Sequence, residues 1–76
     1  LEKKSMRIKG HRTSLALEKE WWDGLDAYVK EHGNTTIPKV IGMIDDTRDK
    51  AEGSLASAVR IWLYNIALHK SKSQQR

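Results

Sequence analysis

His11-Arg12-Thr13-Ser14-Leu15-Ala16-Leu17, the stretch HRTSLAL, decides how this chain is read. Apolar residues alternate with polar or small ones, Thr13 is β-branched and Gly10 bounds the stretch upstream, the pattern of a half-buried strand. Side chains on a strand point alternately to its two faces. Thr13, Leu15 and Leu17 therefore share a face that the leucines carry to a core, while Arg12, Ser14 and Ala16 share the outward one. Everything after Leu17 reads as helix, so this is expected to be the only strand, with no partner in its own chain. Unpaired strand edges expose donors and acceptors. An identical strand from a second copy, antiparallel across a two-fold axis, would satisfy them. The strand thus predicts a homodimer whose ribbon has Arg12, Ser14 and Ala16 of each chain on its outer face.

A chain of 76 residues is one domain near the lower limit for a self-sufficient core. It has no cysteine, and His11, His32 and His69 are too scattered for metal ligation, so no disulfide, metal or other cofactor is expected. Oligomerisation remains as a route to stability. Absence of cysteine fits a cytoplasmic protein. No apolar run approaches membrane-spanning length and no signal peptide is visible, so the chain reads as soluble, without a membrane partner.

The formal charge is +4, and it is unevenly spread. Lys3, Lys4, Arg7, Lys9 and Arg12 face only Glu2 in the first twelve residues, and Lys70, Lys72 and Arg76 end the chain without an acid. The middle is net acidic. Cations flanking a paired strand suggest a polyanionic partner, nucleic acid first. The plainer reading is that lysine-rich ends only solubilise.

Residues 1–10 lack hydrophobic periodicity and are expected to form a flexible basic arm, with Gly10 as its hinge. A ribbon domain over 11–69 follows, with the strand at 11–17 and helices at 18–32, 36–46 and 54–69; residues 70–76 are expected to be a frayed polar tail. In the first helix, Glu18, Glu20 and Asp23 favour the positive end of the dipole. Trp21, Leu25, Tyr28 and Val29 make its buried stripe, leaving Trp22 half buried. Gly24 suggests close packing, and Gly33-Asn34 stops the helix. Thr35 or Thr36 caps the second helix, whose stripe is Ile37, Val40, Ile41 and Ile44. The polar segment from Thr47 to Gly53 reads as a loop. Ser54 caps the last helix, striped by Leu55, Val59, Trp62 and Ile66 and widened by Ala58, Leu63 and Ala67, a breadth that suits packing on a dimer mate.

Enzymatic chemistry finds little support. Asp45, Asp46 and Asp49 lack calcium-loop spacing and no nucleophile–base pair accompanies them; they read as a solvated loop that keeps the far end away from a polyanion. Trp21, Trp22 and Trp62 have helical spacing and read as core rather than as stacking platforms.

Taken together, a strand ending in SLALE, an amphipathic helix with paired aromatics, and GSLASAVRIWLYNIAL resemble the ribbon-helix-helix superfamily. The intervening TTIPKVIGMIDDTR resembles a bacterial subgroup with an extra helix between the two blocks, and the resemblance covers about residues 10–68. It implies a mainly helical, intertwined homodimer whose intermolecular antiparallel ribbon enters the major groove of double-stranded DNA, and a role in transcription regulation. Arg12, Ser14 and Ala16 would then read base edges. The backbone amides of Ser54 and Leu55 would hold a phosphate at the start of the last helix, and Arg7 and Lys9 would contact phosphates from the arm. Ser14 is short and Ala16 has no hydrogen-bonding group, so Arg12 carries most of the expected readout. A different class of function suits the same fold: a protein-interaction or dimerisation module that has lost base readout.

Overall fold

The computed structural model describes residues 1–50 and 53–74. It has two strands, β1 (Glu2–Ile8) and β2 (His11–Leu17), followed by three helices, α1 (Lys19–His32), α2 (Ile37–Thr47) and α3 (Leu55–Gln74). The strand read from HRTSLAL is present with the expected limits, but it is not alone. β1 pairs with it antiparallel in the same chain, from Glu2 opposite Leu17 to Ile8 opposite His11. The flexible arm expected over residues 1–10 is thus a strand and a turn, and Gly10 closes a hairpin. Lys9 and Gly10 both have positive φ, 53° and 82°, as the two-residue hairpin turn that matches strand twist requires.

Three helices cover one face of the hairpin. Ile8, Leu15 and Leu17 point into a core completed by Trp22, Leu25, Val40, Ile41, Ile44, Val59 and Leu63. Met6 and Thr13 are half-buried at its edge. One bond fastens β1 to this core: the Trp22 indole Nε1 donates to the Glu2 carbonyl at 2.8 Å. Trp22 is therefore the buried tryptophan of α1 and Trp21 the half-buried one, reversing the expectation. The helix is turned to place Trp22 beneath β1, a partner absent from a reading with one strand.

Helix ends follow the expected capping chemistry. The Thr36 hydroxyl accepts from the Lys39 amide at 3.4 Å, so α2 begins at Ile37 rather than 36. Gly33 ends α1 with φ 74° and donates its amide to the Val29 carbonyl. α2 runs through Asp45 and Asp46, inside the expected helix, to Thr47, one residue beyond it, so of the three acids read as a solvated loop only Asp49 lies outside the helix. α1 meets α3 at Gly24, where an added Cβ would lie 3.6 Å from Leu63 Cδ2. α3 continues past the expected end at 69, and 70–74 are helix, not frayed tail; residues 75 and 76 lie outside the described part. Its expected stripe is buried or half-buried except for Ala67, which is exposed. No helix among the described residues is long and apolar enough to cross a membrane.

At Gly10 an added Cβ would meet nothing within 4 Å, so substitution there tests backbone conformation alone. Gly10→Ala is expected to destabilise the protein by about 1 kcal/mol. Thermal unfolding with amide exchange checks this: β1 should lose protection before the helices, and unchanged β1 protection would show that the turn does not hold the hairpin.

Candidate nucleic-acid interface

Because the inner face of the hairpin is fixed by Ile8, Leu15 and Leu17, the alternation of the pleat fixes the outer one. Lys3, Ser5 and Arg7 of β1 stand there opposite Ala16, Ser14 and Arg12 of β2. Arg12 and Ser14 are exposed and Ala16 half-buried, so the outward face expected for β2 is present. The ribbon differs from expectation in its origin. Both strands come from one chain, and the three β1 positions take places assigned to a second copy.

Chemically the face is simple. The Ser5 and Ser14 hydroxyls lie 3.1 Å apart and bridge the strands at its centre. Arg7 donates to the Gly10 carbonyl at 3.3 Å. No acid occurs between Lys3 and Leu17. Lys9 differs from its neighbours, since its ammonium pairs with Asp46 of α2. The acids expected to lie far from a polyanion are thus partly against the hairpin turn, and they occupy one of the expected phosphate ligands. Arg7 and Lys9 share a shallow cleft with Lys39, Gly42 and Asp46. On the other side of the sheet Lys4 lies over the Trp22 ring, 5.1 Å from its centroid, and pairs with Glu2.

The start of α3 is built separately. Ser54 Oγ accepts from the Ser57 amide at 3.2 Å, the expected cap. Leu55 is half-buried. Arg48 Nε donates to Asp45 at 2.8 Å while its Nη1 donates to the Gly53 carbonyl at 2.9 Å, holding the residue before the cap against the end of α2. Among the described residues, no hydrogen bond or ion pair links Ser54 or Leu55 to the hairpin. α3 is instead tied to the end of β2 by Arg60, which donates to Glu18 through Nε and Nη2 at 3.1 and 2.9 Å. Sequence reading took Glu18 for a dipole partner and missed this pair, whose members are 42 positions apart.

The profile of the ribbon-helix-helix domain family matches residues 1–67. This chain belongs to that family. Comparison with curated proteins and with solved structures returns no match. The matched region takes in β1, which the sequence-based resemblance over 10–68 left out, so the hairpin is part of the ribbon-helix-helix domain. Such domains are in general DNA-binding transcription regulators rather than enzymes.

Among the described residues, three carboxyl groups are held below their ordinary pKa. For Glu18 the main cause is a hydrogen bond from its own backbone amide, followed by Arg60. Glu31 owes its shift to the hydrogen bond from Lys70, and Asp45 to that from Arg48. Lowered folded-state values stabilise the protein above the unfolded pKa, and that contribution is lost as pH falls through the folded value. The melting temperature should therefore decline as pH drops below the ordinary glutamate value of 4.5. Glu18→Gln should make that decline shallower; an equally steep acid limb would show that Glu18 contributes nothing to it. Ser54→Ala should cost about 1 kcal/mol through loss of the cap, read by chemical denaturation.

Proposed function

We propose that this ribbon-helix-helix protein binds double-stranded DNA and regulates transcription, with the outward face of the hairpin entering the major groove. The observation that carries this is the acid-free face of Lys3, Ser5, Arg7, Arg12, Ser14 and Ala16. A two-stranded ribbon fits the major groove, and small central side chains let its backbone come close to the bases. In this reading Arg12 makes the principal base contact, Ser14 a lesser one, and Ala16 at most touches a thymine methyl group. Arg7 contacts phosphate. Lys9 does so only by sharing its ammonium with Asp46. The amides at Ser54 and Leu55 add a phosphate contact at the start of α3, where the dipole favours an anion.

The protein is proposed to act as a homodimer, bacterial and cytoplasmic, without a cofactor. Support for the dimer no longer comes from a lone strand, because β2 has a partner. It comes from α3, where Ile61, Tyr64 and Leu68 are 60, 59 and 44% exposed. Their spacing of three and four residues puts them on one side of the helix, a continuous apolar strip that a two-fold mate would cover.

Selection from a random duplex pool at physiological salt tests the function. Enrichment of a palindromic site is the expected outcome and gives the half-site spacing directly. Arg12→Ala should weaken binding to that site by about 1–3 kcal/mol and relax preference at one position per half-site, while leaving the oligomeric state unchanged. Retention without enrichment would mean binding dominated by phosphates. No retention would leave the interaction-module reading, with the α3 strip as its surface.

A further inference from the structure

The register places Arg7 directly opposite Arg12, and both are exposed. Like charges in directly opposed strand positions repel and weaken the pairing. Several other cations have a carboxylate: Lys4 has Glu2, Lys9 has Asp46, Arg48 has Asp45, Arg60 has Glu18 and Lys70 has Glu31. The opposed arginines receive none. Among the described residues Arg12 makes no hydrogen bond or ion pair, and Arg7 bonds only the Gly10 carbonyl. Even Asp46, which reaches the hairpin turn, goes to Lys9. The next rank of the same face is the Ser5–Ser14 hydroxyl bridge, short and neutral. Two arginines therefore leave the same face at directly opposed positions, beside a short neutral rank, on a ribbon without an acid from Lys3 onward.

We propose that Arg7 and Arg12 form a cross-strand clamp for duplex DNA, so that β1 supplies half of the contacting face and the bound polyanion relieves a repulsion built into the free protein. This rests on the DNA-binding reading above and deepens it by joining Arg7 and Arg12 into one site. Arg7 belongs to the clamp rather than to a mobile arm, because the hairpin holds it in register with Arg12. Arginine suits the task, since its planar fork grips a phosphate or a guanine edge with two bonds. Duplex DNA fits better than an acidic peptide because the two cations lie on a ribbon whose cross-section the major groove accepts.

The free protein and the complex give opposite responses to one substitution. Arg7→Glu places a carboxylate opposite Arg12, so the hairpin gains an ion pair in place of a repulsion. It should melt about 1–5 °C higher than the wild type and bind a mixed-sequence duplex at least about tenfold more weakly. Arg7→Met deletes the charge without adding one. It should melt no lower than the wild type and bind more weakly, with the slope of log affinity against log salt shallower by about 0.9 for each arginine removed. Wild-type binding with Arg7→Met equally tight and equally salt-dependent would overturn the clamp and leave DNA binding through Arg12 standing. A lower melting temperature for both variants would overturn it too, by showing that Arg7 stabilises the free hairpin. Failure of the wild type to bind the duplex would overturn both readings.

Discussion

The pleat of the β1–β2 hairpin constrains the rest of the molecule. Side chains alternate with a period of two, so once Ile8, Leu15 and Leu17 are committed to the core the opposite face has no freedom. A slip of one residue would bury Arg7 and Arg12 and expose the leucines, which no helix arrangement here could accommodate. Burying a leucine or isoleucine is worth about 1.5–3 kcal/mol. The core therefore stabilises its own packing and, through the same pleat, the display of cations on the far side. The Trp22–Glu2 bond adds direction to this burial. It ends β1 against α1, so the strand that brings Lys3 and Arg7 into register is held at its start as well as at its turn.

Charge on this molecule divides along the same boundary. Several cations on the helices and hairpin, among them Lys9, Lys19, Lys30, Arg48, Arg60 and Lys70, are met by acids, and such exposed pairs each contribute little to stability in water. Their value lies in what they join. Arg60–Glu18 connects α3 to the β2–α1 junction, Arg48 connects the end of α2 to the residue preceding α3, and Lys9–Asp46 connects the turn to α2. The outer face of the ribbon is left cationic. Net charge alone, at +4, hides this separation, because Glu20, Asp23, Asp26, Glu31, Asp45 and Asp46, which offset much of the positive charge, are on the helices.

β2 was legible in the sequence because Leu15 and Leu17 alternate with small and polar residues, and the α2 stripe because Val40, Ile41 and Ile44 repeat at helical spacing. β1 was not. Its inner face is Glu2, Lys4, Met6 and Ile8, where two of four positions are charged and stay exposed. Lys9-Gly10 carried the one local signal, a two-residue turn, and it was read as a hinge. Missing β1 then displaced two further readings. With no strand to sit under, the helical spacing favours Trp21 over Trp22 for burial, and without a hairpin turn to approach, Asp46 reads as remote from the basic residues. The polar end of α3 was illegible for a different reason: apolar periodicity reports burial, and a helix running past its packing partner has none. The outward placement of Arg12 and Ser14 was readable from strand phase alone, whereas the partnership of Arg7 with Arg12 needs the register.

Strand pairing within one chain also bears on how copies can add to one another. A sheet grows only through free edges, and an edge lined with like charges resists growth. β1 occupies one edge of β2 and presents Lys3, Lys4 and Arg7 along its own length. Two such strands approaching edge to edge would bring cations against cations. Ribbon-to-ribbon addition through β1 is thereby disfavoured, and any pairing between copies is left to the outer edge of β2. A single self-complementary edge joins two molecules and then has nothing further to offer. The basic first strand thus disfavours open-ended growth through the sheet.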